Sequence, residues 1–236
     1  MTTISTTNPV GKPAARPAPT TTPTAGTGRG WAWAGALAGL AATVAFVVTS
    51  GIAPNDEALF ADNALLAEEV LDGEMLVWLW QVLSTAAALG VAVFAAGLRR
   101  RLASQAPADS LVPTLAAAGL ASVAVMLLVG GGISTELFWA LMQESGEADP
   151  DTIVANLGIF NTMGWVWAGI GLTTAAVAHT SLKHGALPRW LGWFSAVATA
   201  LILLTQLVPL QYMAAFVGAP WLLVAGIGLA RPERSA

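Results

Sequence analysis

Cysteine is absent from the 236 residues. That excludes disulfides, thiolate metal sites, iron–sulfur ligation and cysteine nucleophiles, and leaves the redox compartment unread. Charge is scarce as well, at 10% of residues against roughly 25% in an ordinary soluble domain. Only two histidines and one tyrosine are present. No HExxH zinc motif, GxSxG nucleophile elbow or phosphate-binding P-loop occurs, and no Asp sits inside an apolar run where intramembrane aspartyl proteolysis would need one. A basic stripe able to grip nucleic acid is missing too. No catalytic residue, metal or cofactor is therefore assigned, and no nucleic-acid partner is expected.

What fills the chain instead is hydrocarbon: 56% of residues are hydrophobic, before the 24 glycines are counted. A helix crossing a bilayer needs about 20 mainly apolar residues, because each rises about 1.5 Å through a core about 30 Å thick. Six segments meet that length, at 31–53, 75–98, 111–141, 152–182, 190–207 and 213–230. The third and fourth are longer than a bilayer is thick, so each must tilt, break or project. Gly130, Gly131 and Gly132 mark the expected bend in the third, since consecutive glycines weaken a helix. Residues 1–30 hold nine threonines and five prolines. They carry too little apolar surface to offset the entropy of ordering, and read as a disordered cytoplasmic tail without the core of a signal peptide. The domain division is a tail over 1–30, a membrane domain over 31–230 and a short tail over 231–236.

Charge is sorted by side. Lys12, Arg16 and Arg29 precede span one, Arg99, Arg100 and Arg101 follow span two, Lys183 and Arg189 follow span four, and Arg231 and Arg234 follow span six. Acidic residues crowd the opposite loops: Asp56, Glu57, Asp62, Glu68, Glu69, Asp72 and Glu74 in the first, and Glu144, Glu147, Asp149 and Asp151 in the second. By the positive-inside rule both termini face the cytoplasm. The expected fold is thus an all-α six-helix transmembrane bundle of the cell membrane, N-in and C-in. Arg99, Arg100, Arg101, Lys183, Arg189, Trp190 and Trp193 are its interfacial anchors, and Pro188 starts a returning helix. A weak internal likeness pairs spans two and three with spans four and five around Pro113 and Pro188; three-plus-three inverted repeats find no support.

Between spans one and two, "PNDEALFADNALLAEEVLDGE" repeats its apolar residues with helical spacing and puts acids on the other face. It predicts a short amphipathic external helix, capped at Asn55 or Asp56, with Asn63 alone spoiling the stripe. Its acidic face is either simply solvated or binds cations.

Within the spans, Gln81, Ser134, Thr135, Glu136, Asn156, Asn161 and Gln206 all fall in the outer part of the membrane. Unsatisfied polar groups are costly in hydrocarbon. Gln81, Glu136, Asn156, Asn161 and Gln206 therefore form the candidate polar cluster, facing one another or a wet outward vestibule. Otherwise Glu136 reaches external water and the amides tie helices together. His179 and His184, five residues apart, fall at an angular offset that does not stack them on one helix face, and too few other ligands are present for haem or zinc. Gly35 and Gly39 allow close helix contact, a weak sign of a dimer.

The stretches "ALFADNALLAEEVLDGEML", "FAAGLRRRLA" and "GALPRWLGWFSAVATALILL" together resemble a bacterial integral-membrane family of unknown function, sharpest at "LPRWLGW". The likeness spans most of residues 31–230, while the acidic run at Glu68 and Glu69 and the Thr-rich tail depart from it. It implies the topology and brings no substrate or catalytic residue. Three roles follow: a non-enzymatic bundle handling or sensing a small solute, or serving as a membrane subunit, through the polar cluster; an intramembrane enzyme on a lipid or isoprenoid, with Glu136 as acid or base; or a scaffold recruiting another protein. The partners in view are the lipid bilayer, a small solute or lipid, and a second copy or another protein.

Overall fold

The computed structural model describes residues 28–49, 52, 59, 61–143 and 148–231. Residues 1–27 of the Thr-rich tail, the expected caps Asn55 and Asp56, the loop acids Glu144 and Glu147, and residues 232–236 lie outside them.

Helices and no strands make up the described regular structure. They are α1 (Gly30–Thr49), α2 (Asn63–Glu69), α3 (Glu74–Ala103), α4 (Val112–Leu141), α5 (Pro150–Thr162), α6 (Ile170–His184), α7 (Arg189–Leu207) and α8 (Ala214–Ala230), with 3-10 turns at Leu71–Gly73, Met163–Gly169 and Gln211–Met213. Six helical stretches are long and apolar enough to cross a membrane, and α5, the second 3-10 segment and α6 together make one of them. Their outer faces are as oily as their inner ones. On α1, Trp33, Leu37, Leu40, Val44 and Val47 are all exposed along one stripe, and Leu207 at the end of α7 is 84% exposed. So much unpartnered apolar surface suits lipid and not water, and the chain is a membrane-embedded six-helix bundle.

The interior is built from small residues, which let helices approach without a hydrophobic drive between them. Helix α1 packs between α3 and α8, α4 lies against α3 and α6, and α7 closes on α6 and α8. A Cβ at Gly39 would collide with the backbone of Leu223, and one at Gly226 with that of Ala36, so α1 and α8 touch backbone to backbone. Gly35 is covered by the Phe94 ring. Both glycines of the suspected dimer pair are thus occupied within the chain.

The expected break in the third span is not where the helix is interrupted. Helix α4 runs unbroken through Gly130, Gly131 and Gly132, because tertiary contacts hold it: Gly130 lies under Met163 and Trp80, and the Gly131 carbonyl accepts side-chain hydrogen bonds. The interruption falls in the fourth span, at the seven-residue 3-10 segment Met163–Gly169. Runs longer than three or four residues are uncommon for that geometry. Here Gly164 sits so close to the Tyr212 carbonyl that no side chain would fit.

The external helix is present and short. Asp62 caps α2, accepting from the backbone N–H of Ala64 at 2.9 Å and of Leu65 at 3.5 Å. Leu66, Ala67 and Val70 are buried on one side, while Glu68 and Glu69 are exposed on the other. Asn63, the apparent flaw in the stripe, bonds through Nδ2 to Asp151 Oδ1 at 2.7 Å and ties α2 to α5.

Candidate functional site

Chain reversals between successive spans put the starts of α1, α4 and α7 and the ends of α3, α6 and α8 at one end of the bundle. Arg29, Arg99, Arg100, Arg101, Lys183, Arg189 and Arg231 all belong to that basic end, with Asp109 among them. Asp62, Glu68, Glu69, Asp72, Glu74, Asp149 and Asp151 belong to the other. Cations in the last turns of α3 and α6 also suit the negative pole of a helix.

At the acidic end, Gln81 on α3 reaches α4. Its Nε2 donates to Thr135 Oγ1 at 3.0 Å and to the Gly131 carbonyl at 3.3 Å. Ser134 and Thr135 hydroxyls donate to the same carbonyl, at 2.9 and 3.2 Å. Glu136, one residue on, is exposed and turned to the outside of the bundle. Asn156 bonds back to the Thr152 carbonyl of its own helix at 3.0 Å, and Gln206 to the neighbouring Thr205 hydroxyl at 3.2 Å. Asn161 is exposed. The structure thus joins Gln81 to Thr135. Among the described residues no hydrogen bond links Glu136, Asn156, Asn161 and Gln206 to one another or to Gln81.

Hydroxyls carry the polar chemistry inside the basic half of the spans, where the described helices hold no amide or carboxylate side chain. Thr173 Oγ1 donates to the Ala116 carbonyl at 2.8 Å, joining α6 to α4. Thr199 Oγ1 lies 2.8 Å from Thr174 Oγ1 and from the Ser195 carbonyl, and the buried Trp221 Nε1 donates to Ser195 Oγ at 3.0 Å. At about 1.5 Å per residue, Ser195 lies roughly 9 Å into α7 and Thr174 roughly 15 Å from the end of α6. The signal was legible as Thr173–Thr174 facing Ser195 and Thr199, four apart on one helix face. Among the described residues, two buried groups have no hydrogen-bond partner, Trp167 Nε1 and Ser181 Oγ.

The hairpin between α6 and α7 closes as a helix-end motif. Gly185 takes a left-handed φ of 63°, and the Ala186 N–H reaches back to the Thr180 carbonyl at 3.2 Å. Leu187 is buried, Pro188 precedes α7, and Trp190 and Trp193 are half-exposed or more. The two histidines come closer than their spacing on an ideal helix suggests. Their rings lie edge to face with centroids 5.4 Å apart, His184 being the last residue of the helix. Among the described residues no group of three or more ligand-bearing side chains could hold a metal.

One cavity of about 450 Å³ opens at the basic end. It is lined by Arg29 and Trp31 from the start of α1, Arg100, Arg101 and Ser104 from the end of α3, Pro188 from the hairpin, and Arg231 from the end of α8. Of these arginines, Arg100 and Arg101 are among the expected interfacial anchors, and the sequence places Arg29 and Arg231 on the same side without bringing them together. The closure is local and physical: Arg29 Nη1 approaches the Ala230 carbonyl at 3.5 Å across 201 residues of sequence. Compared with known proteins, the chain matches no family model, no curated protein and no solved structure.

Proposed function

We propose that the protein is a non-enzymatic integral subunit of the cytoplasmic membrane, inserted with both termini in the cytoplasm, that works by binding at its ends and not by chemistry in its core. The observation that carries this reading is the sorting of charge. Cations gather at one end of the bundle, most carboxylates at the other, and the polar groups between them are largely taken up in hydrogen bonds to backbone or to neighbouring hydroxyls. The positive-inside rule then sets the orientation. The outward end, with Gln81, Glu136, Asn156, Asn161 and Gln206, is the surface on which a small solute or an external partner is met.

Because the chain has no cysteine, single substitutions give unique labels. E68C is expected to react with an impermeant thiol reagent in intact cells, and R100C only after permeabilisation; the reverse pattern overturns the orientation. The non-enzymatic part has its own test. The purified protein is incubated in nanodiscs with a total membrane lipid extract, and the lipids are followed by mass spectrometry. An unchanged lipid profile supports the reading, and any lipid species consumed in proportion to protein overturns it.

A further inference from the structure

We infer that the α6–α7 hairpin is a movable arm, hung from two adjoining joints at the acidic end, that swings as one piece against the rest of the bundle. The first joint is the 3-10 segment Met163–Gly169 at the head of α6. A mid-helix stretch of 3-10 bonds less well than an α-helix and often marks a hinge. The second joint follows α7, where Val208 is extended, with φ −108° and ψ 156°, ahead of the 3-10 turn Gln211–Met213. Hinges are commonly a few such residues at the ends of elements. The two joints touch, since Gly164 lies against the Tyr212 carbonyl. Both helices of the hairpin are thus hung at one place, as a common axis requires.

The arm is stiff within itself. Thr199 Oγ1 lies 2.8 Å from Thr174 Oγ1, Gly171 packs on Ile202, and Gly192 packs on Ser181 and Leu182. Its far end is fixed by the left-handed Gly185, with the Ala186 N–H on the Thr180 carbonyl. The other spans are locked to one another as well. Helix α1 meets α8 at Gly39 and Gly226, and it meets α3 at Gly90, where a Cβ would strike the Ala34 carbonyl. Gln81 ties α3 to α4. Two stiff pieces joined along one edge rotate about that edge.

Little opposes the rotation. Lipid is as apolar as the side chains it would replace, so no hydrophobic drive holds the arm shut. Near its far end the arm meets the bundle through apolar groups, including buried Leu187 and Leu191 and the Trp190 ring over Gly228. Gly169 is pressed on Gly119 and Ser122 of α4 and serves as the fulcrum. The bond from Thr173 to the Ala116 carbonyl lies one turn from that fulcrum, and the bond from Trp221 to Ser195 holds the arm further along. In the first joint, buried Trp167 Nε1 has no hydrogen-bond partner among the described residues, so moving that indole breaks none. The swing goes beyond binding at the ends and does not depend on the orientation of the chain. Because the joints adjoin α5 and the turn before α8, a partner at the acidic end is placed to bias the arm.

The chain holds no cysteine, so spin labels can be placed in pairs on the full chain in lipid nanodiscs and their distances read by double electron–electron resonance. Lys183, Ala103 and Leu40 are all exposed. K183C/A103C joins the far end of the arm to the end of α3, whereas A103C/L40C lies within the fixed part. Two populations are expected for the first pair and one narrow population for the second. S195A removes a bond that only the closed arm makes, and is expected to raise the ratio of longer to shorter distance about fivefold, or to bring the longer distance into view where the parent shows one population. Q81A loosens α3 from α4, touches neither joint, and is expected to leave the ratio unchanged. A single narrow K183C/A103C distribution in both the parent and S195A overturns the arm. An equal shift in Q81A, or a broadened A103C/L40C distribution, would mean general loosening and overturns it too. Hydrogen exchange on the unlabelled protein covers the case in which labels disturb the fold. Amides of Met163–Gly169 are expected to exchange about tenfold faster than those of residues 119–123 in α4, and equal protection of the two stretches would also reject the hinge.

Discussion

Helix α8 is held on one side by glycine and on the other by a hydroxyl, and the two contacts work differently. Against α1 it makes a backbone-to-backbone contact through Gly39 and Gly226, where no atom beyond Cα has room. Against α7 it makes a side-chain contact in which buried Trp221 donates to Ser195. The first is steric: its strength is dispersion between surfaces that fit, and it fails when anything is added. The second is polar: it fails when something is taken away, by leaving a buried donor unpaired. A membrane bundle lacks the hydrophobic drive that forgives either fault in water.

The comparison predicts its largest effect at the glycines. G39L would force α1 off α8, since the added carbons meet the Leu223 backbone and not the end of a flexible chain. Overpacking of this kind costs about 1–3 kcal/mol or more in a well-packed core, and a shift of several degrees in the detergent melting temperature is expected. A variant melting with the parent would show that the two helices separate freely, and the steric half of the comparison would fall. Next in size is S195A, which orphans Trp221 Nε1 and is expected to cost about 1 kcal/mol or somewhat more, given an orphaning range of about 1–3 kcal/mol. W221F removes the donor itself, so S195A in that background should cost less. A double-mutant cycle with no coupling between the two positions would refute the polar half.

T173A probes a third kind of contact. Its hydroxyl adds a bond to the Ala116 carbonyl, which belongs to a helix that already has its own ladder. Losing it leaves no donor buried and no clash, and the expected cost is about 0.6 kcal/mol, the average for side-chain hydrogen bonds between membrane helices. A loss as large as that of S195A would mean that hydroxyls near Gly119 hold α4 and α6 by more than their pairwise bonds, and measurement of both variants under one denaturation protocol decides it.

The spans were readable because length and hydropathy alone decide them. The predicted segments 111–141 and 190–207 agree closely with α4 (Val112–Leu141) and α7 (Arg189–Leu207). What the sequence hid depended on partners distant along the chain. Three glycines in a row predict a break from local entropy, yet Met163, Trp80 and Gln81 occupy and bond that surface. The true interruption, at Met163–Gly169, contains nothing locally worse than two glycines, and it is where the Tyr212 carbonyl lies too close to Gly164 to leave room for a side chain. Asp62 was one acid among many until its carboxylate was seen to cap α2. The arginines could be counted in each loop, but only the meeting of α1, α3 and α8 turns separate anchors into a shared cavity.

An effect as small as that of T173A is the most informative about the outward end. Among the described residues, Gln81 is the one member of the candidate polar cluster that bonds across to another helix, and it does so at a glycine carbonyl already receiving Ser134 and Thr135. If its role is to tie α3 to α4, Q81A should cost about 0.6 kcal/mol and leave no trace in ligand binding, because Thr135 retains its own bond to Gly131. If Gln81 instead faces a solute, the stability loss should be the same while binding of that solute weakens several-fold. Glu136 supplies the contrast: exposed on the next position of α4, it gives up no internal contact in E136Q, so any binding defect there cannot be a packing effect. Stability and binding measured together on Q81A and E136Q therefore separate a structural tie from a recognition surface. A defect in binding shared by both variants would mark the outward end as the place where the bundle meets its solute, even though no hydrogen bond joins the two side chains.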